Sequence, residues 1–395
     1  MQTAQTWAYY PAMPYLFETE EHAALRAQVG RFAASAIAPH ASAWEEAEGF
    51  PEALYQQAAE AGTLGIGFPV EYGGSGGDIT HQIVASEALT VHGRSVGTAV
   101  GLGSHLIALP PILALGSEAQ KQAYLPRVLS GQRISALAIT EPSGGSDVAA
   151  LQTSATRVGD HYIVSGSKLY ITSGCRADLV VTAVRTDPDV SKRHMGLSLL
   201  VIEQGTPGFS KSRKLRKMGW SASDTAELSF ADCPVPVSNR LGDEGSAFFA
   251  ILRNFSAERL LLSAQRVAIA QLAYDESVSF AKLRTTFGKP LSRHQVIRHK
   301  LADMATQLHA ARALVGECAI RCQRGEVQMS QLAMCKNTAT DMCSFVVDQA
   351  VQIHGGQGYM RESLVERLYR DARLYPIGGG TREIMNEIIA QAEGY

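Results

Sequence analysis

The sequence predicts an α+β protein ordered as helices, then strands, then helices. Three observations carry this prediction. Apolar residues recur at helical spacing up to about residue 131. Between 132 and 243 lie short apolar, β-branched runs separated by Gly, Asp and Pro, with no long helical period among them. That pattern favours an antiparallel sheet over a series of βαβ units. From 244 onward the helical segments become long, with few breakers and short joins, as in a bundle. The expected domains are an N-terminal helical domain (1–131), a middle antiparallel β domain (132–243) and a C-terminal helical bundle (244–395).

The elements follow in order. Thr19 is placed to cap a helix opening on Glu20 and Glu21, acids suited to its positive end. Leu25, Val29, Phe32 and Ala36 continue it until Pro39. Pro51 fits a first helical position, and Gly62 ends the alanine-rich run that follows. Ser117 and Gln120 have capping-box spacing. In the middle, 134–139 reads as a strand, and 155–158 with 161–165 as a hairpin around Gly159 and Asp160. Gly166 and Ser167 read as a further turn, and 179–184, 197–202 and 226–230 as strands closed by Pro234 and Pro236. Long helices are expected over 248–283, 296–324 and 330–354.

Composition excludes several functions. There are 36 Lys and Arg against 38 Asp and Glu, so the formal charge is −2. This gives no electrostatic footprint for nucleic acid. No continuous apolar run is read as a membrane span. The start, 1–17, is aromatic and Pro-containing with no basic opening, unlike a secretory signal. Six cysteines in 395 residues are not a disulfide framework. A reduced, cytoplasmic protein is the expectation. Charged residues are only 19%, below the usual ~25%, which points to surface hidden between subunits. Glycine is abundant, with 36 copies, which suits tight turns or backbone pressed against a ligand.

The chemical signals differ in weight. Gly73, Gly74, Gly76 and Gly77 resemble a phosphate loop but lack its lysine, and read as a flexible surface turn. Cys318 and Cys322 share a helix face but lack two further zinc ligands, and read as free core thiols. His354 reads as a residue at a helix C-terminus, near its dipole. The segment Thr140, Glu141, Pro142, Ser143, Gly144, Gly145, Ser146, Asp147 follows a strand, and its small residues let backbone N–H groups approach an anion or a planar ring. Lys168 to Gly174 adds an aromatic, Tyr170, followed by the hydroxyl of Thr172. An aromatic can stack on a flat cofactor while a hydroxyl bonds its edge; a tyrosine in a β core is the simpler alternative. Glu258 and Arg259 enter an otherwise apolar helix. They make either a solvated ion pair or a desolvated carboxylate with the raised pKa of a base.

Taken together these segments resemble the acyl-CoA dehydrogenase family. The resemblance covers about 17–390, with its strongest motifs at 140–148, 168–174, 218–230, 284–288, 294–295, 352–359 and 370–383. It implies a C-terminal four-helix bundle, a homotetramer arranged as a dimer of dimers, and FAD. By the same resemblance Leu137, Ile139, Thr140, Gly145 and Ser146 line the flavin. Tyr170 covers one flavin face, with Ile171 beside it and Thr172 near N5. Arg284, Thr286, Phe287 and Gln295 grip the pyrophosphate and adenosine side, usually of a neighbouring subunit's cofactor. Gln352, Gly355, Gly356, Thr381 and Glu383 match further FAD contacts. Ser146, Phe255, Ser256, Arg259, Gly379 and Gly380 are the expected substrate-side residues, with Arg259 holding backbone more than touching substrate.

One departure is informative. Many members carry the catalytic glutamate just before a Gly-Thr pair; here that loop reads Ile377, Gly378, Gly379, Gly380, Thr381, and Gly379 stands at the glutamate's place. The long-chain and isovaleryl subgroups carry it instead in a Glu-Arg pair on the first long C-terminal helix, where this chain has Glu258 and Arg259. The resemblance leans toward the long-chain type. It implies fatty acid β-oxidation chemistry: Glu258 removes the α proton of an acyl-CoA, the β carbon gives hydride to flavin N5, trans-2-enoyl-CoA forms, and electron-transfer flavoprotein takes the electrons. The glycines at 378 and 379 suggest room for a medium, long or branched acyl chain. Alternatives are superfamily flavoenzymes of other chemistry (monooxygenase, nitroalkane oxidase or desulfinase) and a non-catalytic binding member. Glu258 argues against a base-less enzyme, and the balanced charge against DNA binding.

Overall fold

The computed structural model describes residues 13–188 and 194–395. Most of the N-terminal stretch read above as unlike a signal, residues 1–12, lies outside the described residues. Seven helices come first: α1 (Glu20–Ala36), α2 (Ala41–Glu46), α3 (Ala53–Glu60), α4 (Ile79–Gly93), α5 (Val96–Leu102), α6 (His105–Leu115) and α7 (Glu118–Leu129). Thr19 does cap α1, with His22 as the reciprocal partner: His22 Nδ1 lies 2.9 Å from Thr19 Oγ1. The Ser117–Gln120 box closes in both directions, at 3.3 and 2.7 Å. Pro51 stands one residue ahead of the N-cap Glu52 and not inside α3. The stretch Val96–Leu115 is apolar and long enough to cross a membrane by length and composition alone. It consists of two helices, α5 and α6, separated at Gly103 and Ser104, and is more than half buried in the protein.

The middle region holds β1 (Ser135–Ala138), β2 (Ser154–Val158), β3 (His161–Thr172), β4 (Leu179–Arg185), β5 (Leu197–Glu203), β6 (Phe209–Lys211), β7 (Thr225–Pro236) and β8 (Arg240–Leu241). They pair in the order β6-β7-β3-β2-β4-β5-β8, with β1 also on β4. The sheet is mostly antiparallel. Its parallel pairings are β1 on β4, from Ser135 opposite Leu179 to Ala138 opposite Thr182, and Ser154 of β2 opposite Arg185 of β4. Gly166 and Ser167 do not turn the chain: β3 runs through them, and Gly166, at φ +144°, sits at a bulge against β7. Pro236 does close β7, opposite His161, while Pro234 lies within the strand, opposite Ile163. They are tolerated because β6 covers β7 only from Leu228 to Phe230, so beyond Phe230 one side of β7 is an edge.

The apolar runs of β4 and β5 are continuous because both faces are covered. Leu179, Val181, Leu197, Leu199 and Val201 face a core shared with α6 and α7, while Val180, Val184, Leu200 and Ile202 face the core within the β domain. The chain then enters α8 (Ala247–Leu283), a small hairpin of β9 (Thr285–Thr286) and β10 (Lys289–Pro290), α9 (Gln295–Gln323), α10 (Met329–His354), α11 (Leu364–Ala372) and α12 (Arg382–Glu393). At 1.5 Å per residue the 37 residues of α8 span about 55 Å. Ala247 and Ile251 at its start belong to the core beside β4 and β5; Leu260, Ala264, Val267 and Leu272 belong to the bundle core. Glu258 therefore lies on the stretch of α8 between two cores.

The N-terminal helices are tied to the bundle by a buried ionic clamp. Glu87 of α4, 1% exposed, lies between Arg26 of α1 at 2.9 Å and Arg312 of α9. Burial pushes its carboxyl up, but the two guanidinium groups outweigh this and hold it below its ordinary range. The Arg312 guanidinium also lies 4.8 Å over the Tyr15 ring. Glu87→Ala leaves both arginines without their shared partner, one of them buried. Thermal or urea unfolding is expected to show a loss of about 3–5 kcal/mol, the usual result of removing one member of a buried pair.

Candidate functional site

The two segments that the sequence singles out in the β domain are fastened side by side. Leu169 N donates to Thr140 O at 2.8 Å. Beneath this bond Lys168, fully buried, reaches Glu141 Oε1 at 2.8 Å and Ile139 O at 3.1 Å. The Glu141 carboxylate also accepts from Gln152 N at 2.6 Å and Thr153 N at 2.8 Å. Burial pushes the Lys168 ammonium down to about 8 against the pull of Glu141. Burial pushes Glu141 up, but Lys168 and the donated hydrogen bonds outweigh it and keep the carboxyl low. Glu141 and Gly144 exchange N–H···O bonds of 3.1 Å, so Pro142, Ser143, Gly144, Gly145 and Ser146 form a tight exposed turn. Sequence reading quoted Lys168 and Glu141 within motifs but gave neither a role. An ion pair between a turn and a strand 27 residues further on has no local signal.

Tyr170 leaves the sheet. The register of β3 against β7 shifts between Lys168 and Ile171, and Tyr170 takes φ +62° with its ring 67% exposed. A bulge re-aims a side chain in this way, and a non-glycine residue at positive φ marks strain retained at a site. This removes the core-tyrosine alternative. Ile171 corrects the expectation: its side chain is 3% exposed and packs in the β core, so only its backbone is available to a ligand. Ile139 is likewise in a core. Leu137 and Thr140 are half-buried, as is Thr172.

A second group gathers at the far end of the bundle. Arg284, Phe287 and Gln295 are exposed around the β9–β10 hairpin, with Thr286 hydrogen-bond distance (3.3 Å) from His294. Gln352, Gly355 and Gly356 lie at the end of α10, exposed. His354 stacks on Phe280 at 4.3 Å, which joins the ends of α8 and α10. Burial lowers the His354 pKa and its Nδ1 bonds Ala350 O at 2.8 Å, so it is a neutral packing residue and not a charge on the helix dipole. Among the described residues no hydrogen bond joins this group to the β-domain group within one chain. Thr381 caps α12 through Ile384 N at 3.3 Å, and the exposed Glu383 is held low by its own N–H and the Thr381 hydroxyl.

The region around Glu258 is built by three elements. On α8, Glu258, Leu262 and Arg266 recur every four residues and so share a face. That face meets α10 and the loop between α11 and α12. A β-carbon placed on Gly379 would lie 3.8 Å from Glu258 Oε1 and 2.7 Å from Leu262 Cδ1. Helix glutamate and loop position thus share one space. Burial pushes the Glu258 carboxyl up to about 7, against the pull of the Arg259, Lys336 and Arg266 charges. No hydrogen bond reaches that carboxylate among the described residues.

Arg259 holds backbone, as its expected role on the substrate side has it. It is 3% exposed and donates from Nε to Gly379 O at 3.3 Å, so it holds the loop from behind. Ser256 spends its hydroxyl on Leu252 O at 3.2 Å, while Phe255 packs partly against the core beside β4 and β5. Gly379 also corrects the idea of vacated space: Leu262 occupies it, and φ +68° favours glycine there in any case. Position 378 is more open, with Leu374 atoms no closer than 3.7 Å to an added β-carbon. Arg266, Lys336 and Tyr375 were missed. The i+8 spacing from Glu258 could have found Arg266; Lys336 stands on a separate helix that also carries Asp341 and Asp348, and nothing in that helix marks it.

One other reading comes out differently. The glycine-rich 73–77 stretch is packed and not loose: Ser75 N and Gly76 N donate to Gly65 O and Phe68 O at 2.8 and 2.9 Å, and a β-carbon on Gly74 would strike Phe68 O. Among the described residues no group of three His, Cys, Asp or Glu could hold a metal ion.

A helical–β–helical chain with an exposed aromatic on a strand fastened beside a small-residue turn, and a desolvated carboxylate on the first bundle helix, has the features of an acyl-CoA dehydrogenase-type enzyme. Comparison bears this out. Models of the acyl-CoA dehydrogenase N-terminal, middle and C-terminal domains match residues 19–132, 136–233 and 247–394. An acyl-CoA dehydrogenase of Bacillus subtilis (strain 168) is 39% identical over 94% of this chain and 98% of its own. The mitochondrial long-chain specific acyl-CoA dehydrogenase of Sus scrofa is 35% identical over 94% of this chain and 86% of its own. The crystal structure of a probable acyl CoA dehydrogenase from Mycobacterium abscessus superposes with a TM-score of 0.93 at 49% identity, covering 95% of this chain and 99% of that one. The chain belongs to the acyl-CoA dehydrogenase family of oxidoreductases.

Lys168→Met leaves Glu141 buried without its cation. The expected outcome is a loss of about 3–5 kcal/mol in stability, with faster amide exchange at Leu169, whose bond to Thr140 the pair supports. Unfolding and hydrogen-exchange mass spectrometry check it.

Proposed function

We propose that the protein is an FAD-dependent acyl-CoA dehydrogenase in which Glu258 removes the α proton of the thioester. The observation that carries this is the Glu258 carboxylate itself: on α8, without a hydrogen-bond partner among the described residues, and 3.8 Å from a β-carbon placed on Gly379. A carboxylate pushed up to about 7 by burial is ionised for a large fraction of molecules near neutral pH yet holds a proton firmly, as a base for a weak carbon acid must.

The residues of the β domain fit a planar cofactor. Tyr170 presents an exposed ring, Gly144 has no atom within 4 Å of an added β-carbon, and Lys168 with Glu141 fixes the turn below. At the bundle end, Gly355 and Gly356 are equally open and Phe287 is 97% exposed, which suits contacts to a cofactor held by a second subunit. Tyr170, Thr172 and the 140–146 turn would hold the ring system; Arg284, Gln295 and Gln352 would hold its phosphate and adenosine side. FAD supplies the hydride acceptor when bound. The chain's own part is to orient the thioester, to take the α proton on Glu258 and to offer the Gly379 N–H to the thioester oxygen. A homotetramer, and electron-transfer flavoprotein as the acceptor, follow from the family resemblance. The open backbone at Gly378 supports a medium, long or branched acyl group.

Anaerobic titration with straight and branched acyl-CoAs tests this reading. Wild-type protein is expected to bleach its flavin with medium or longer chains. Glu258→Gln is expected to slow bleaching by about 10²–10⁴-fold, the range for loss of a general base. Bleaching of Glu258→Gln at the wild-type rate would sink the assignment, and a sharp preference for butyryl-CoA would sink the acyl size. The base must be ionised to act, so kcat/KM is expected to fall as pH drops below about 7, the value to which burial raises Glu258. A pH–rate profile with its acidic limb near 4.5 would contradict this.

A further inference from the structure

We infer that Lys336 is a positioning residue for the Glu258 base: its side chain braces the two ends of the loop facing Glu258, and its charge sets the proton affinity of that carboxylate. The inference rests on Glu258 being the base, as proposed above.

Lys336 lies on α10, 1% exposed. Burying an ammonium is costly, and an apolar side chain would fill the same volume without that cost. No carboxylate lies within hydrogen-bond reach of it among the described residues. Its partners are two main-chain carbonyls, Tyr375 O at 3.1 Å and Gly380 O at 2.6 Å. These stand on either side of Pro376, Ile377, Gly378 and Gly379, so one side chain fixes the span of the loop. Its Cε lies 3.6 Å from a β-carbon placed on Gly379, on the same spot that Glu258 Oε1 approaches. Arg266, fully buried, adds a second bond to Tyr375 O at 3.1 Å and lies 4.4 Å over the Tyr375 ring; Arg259 takes Gly379 O. The charged and titratable groups facing this cluster are Glu258, Arg259 and Arg266 from α8, Cys335 and Cys343 from α10, and Tyr375 and Asp371 from the α11 side. Of these, Glu258 is the carboxylate coupled to Lys336.

Burial, helped by the Arg266 and Arg259 charges, pushes the Lys336 ammonium down to about 7. A neutral amine still has two N–H groups for two carbonyls, so the brace outlasts the proton while the charge does not. The two roles can therefore be separated by substitution. Lys336→Met removes donor and charge, Lys336→Gln keeps a donor without charge, and Lys336→Arg keeps both.

The test uses the holoenzyme and two readouts. The first is amide exchange at Ile377, Gly378 and Arg382, whose N–H groups donate to Leu374 O and Pro376 O within the loop. Lys336→Met is expected to speed it by roughly tenfold or more, as local opening becomes easier, while Lys336→Arg stays near wild type. The second is the acidic limb of kcat/KM. Removing a nearby cation disfavours the carboxylate, so Lys336→Met and Lys336→Gln are expected to move the limb up by about one pH unit, with kcat falling more than KM changes. Wild-type exchange together with an unmoved limb in Lys336→Met would overturn the inference. Lost protection with an unmoved limb would overturn its electrostatic half. Should Lys336→Met not fold, Lys336→Gln against Lys336→Arg still gives the charge contrast, where an equal acidic limb would overturn the electrostatic half, and Lys336→Leu gives the donor contrast, where wild-type exchange would overturn the brace. The exchange readout needs no turnover, so a failure of Glu258 as base, seen in Glu258→Gln, is told apart from a failure of the brace.

Discussion

The continuity of α8 is the constraint on which the candidate site depends. One helix leaves the core beside β4 and β5 at Ile251 and enters the bundle core at Leu260. Each end is fixed by apolar burial, so the turns between them are fixed as well. Glu258 occupies that stretch, and the helical repeat alone places Leu262 and Arg266 beneath it. No loop need be ordered to aim the carboxylate. The loop before α12 is instead brought to the helix, by carbonyls at 375, 379 and 380 that accept from Arg259, Arg266 and Lys336.

Charged groups buried between domains keep this crossing in register. The Glu87 clamp joins α1, α4 and α9. A second junction joins the β domain to α11: Trp220 N donates to Asp371 Oδ1 at 2.6 Å, and the Trp220 ring meets Tyr375 edge-on at 5.4 Å. Tyr375 is also the residue whose carbonyl takes Arg266 and Lys336. The loop facing Glu258 is thus connected through one side chain to the β domain. Such pairs are poor sources of net stability, but they penalise any other arrangement heavily, because a shifted domain leaves a buried charge unpaired.

The sequence made the helix–strand–helix order legible because periodicity changes from 3.6 to 2 and back. Caps were legible where both partners are local, as at Ser117 and Gln120. What escaped was long-range. Gly166 looks like a turn, yet its φ of +144° is accommodated by a bulge that only pairing with β7 creates. Parallel pairing of β1 with β4 leaves no mark within four residues. Tyr170 was marked as a stacking residue by its neighbours in a motif, but its departure from the sheet depends on the bulge. Glu258 was legible through the empty Gly379 position. Arg259 was legible as a residue that holds backbone, but not which backbone, since its carbonyl partner lies 120 residues away. The Lys336 brace has no counterpart within its own helix.

The emptiness of position 379 has a physical reason beyond the loss of a functional group. A carboxylate there would have to share space with Glu258 Oε1 and with the Leu262 methyl. Two carboxylates in one site cannot both ionise easily, and one of them rises far above its useful range. The arrangement therefore admits one carboxylate, supplied either from the loop or from the helix. Supply from the helix frees the loop to take the left-handed conformation seen at Gly379 and Gly380, which glycine adopts without a steric cost. It also leaves the loop with its main-chain groups as its contribution, its carbonyls turned back to the cations of α8 and α10. A base carried by a packed helix is held by many apolar contacts, while a base carried by a loop would be held by a few hydrogen bonds. The glycine loop and the helix glutamate are one solution to that choice, and neither makes physical sense without the other.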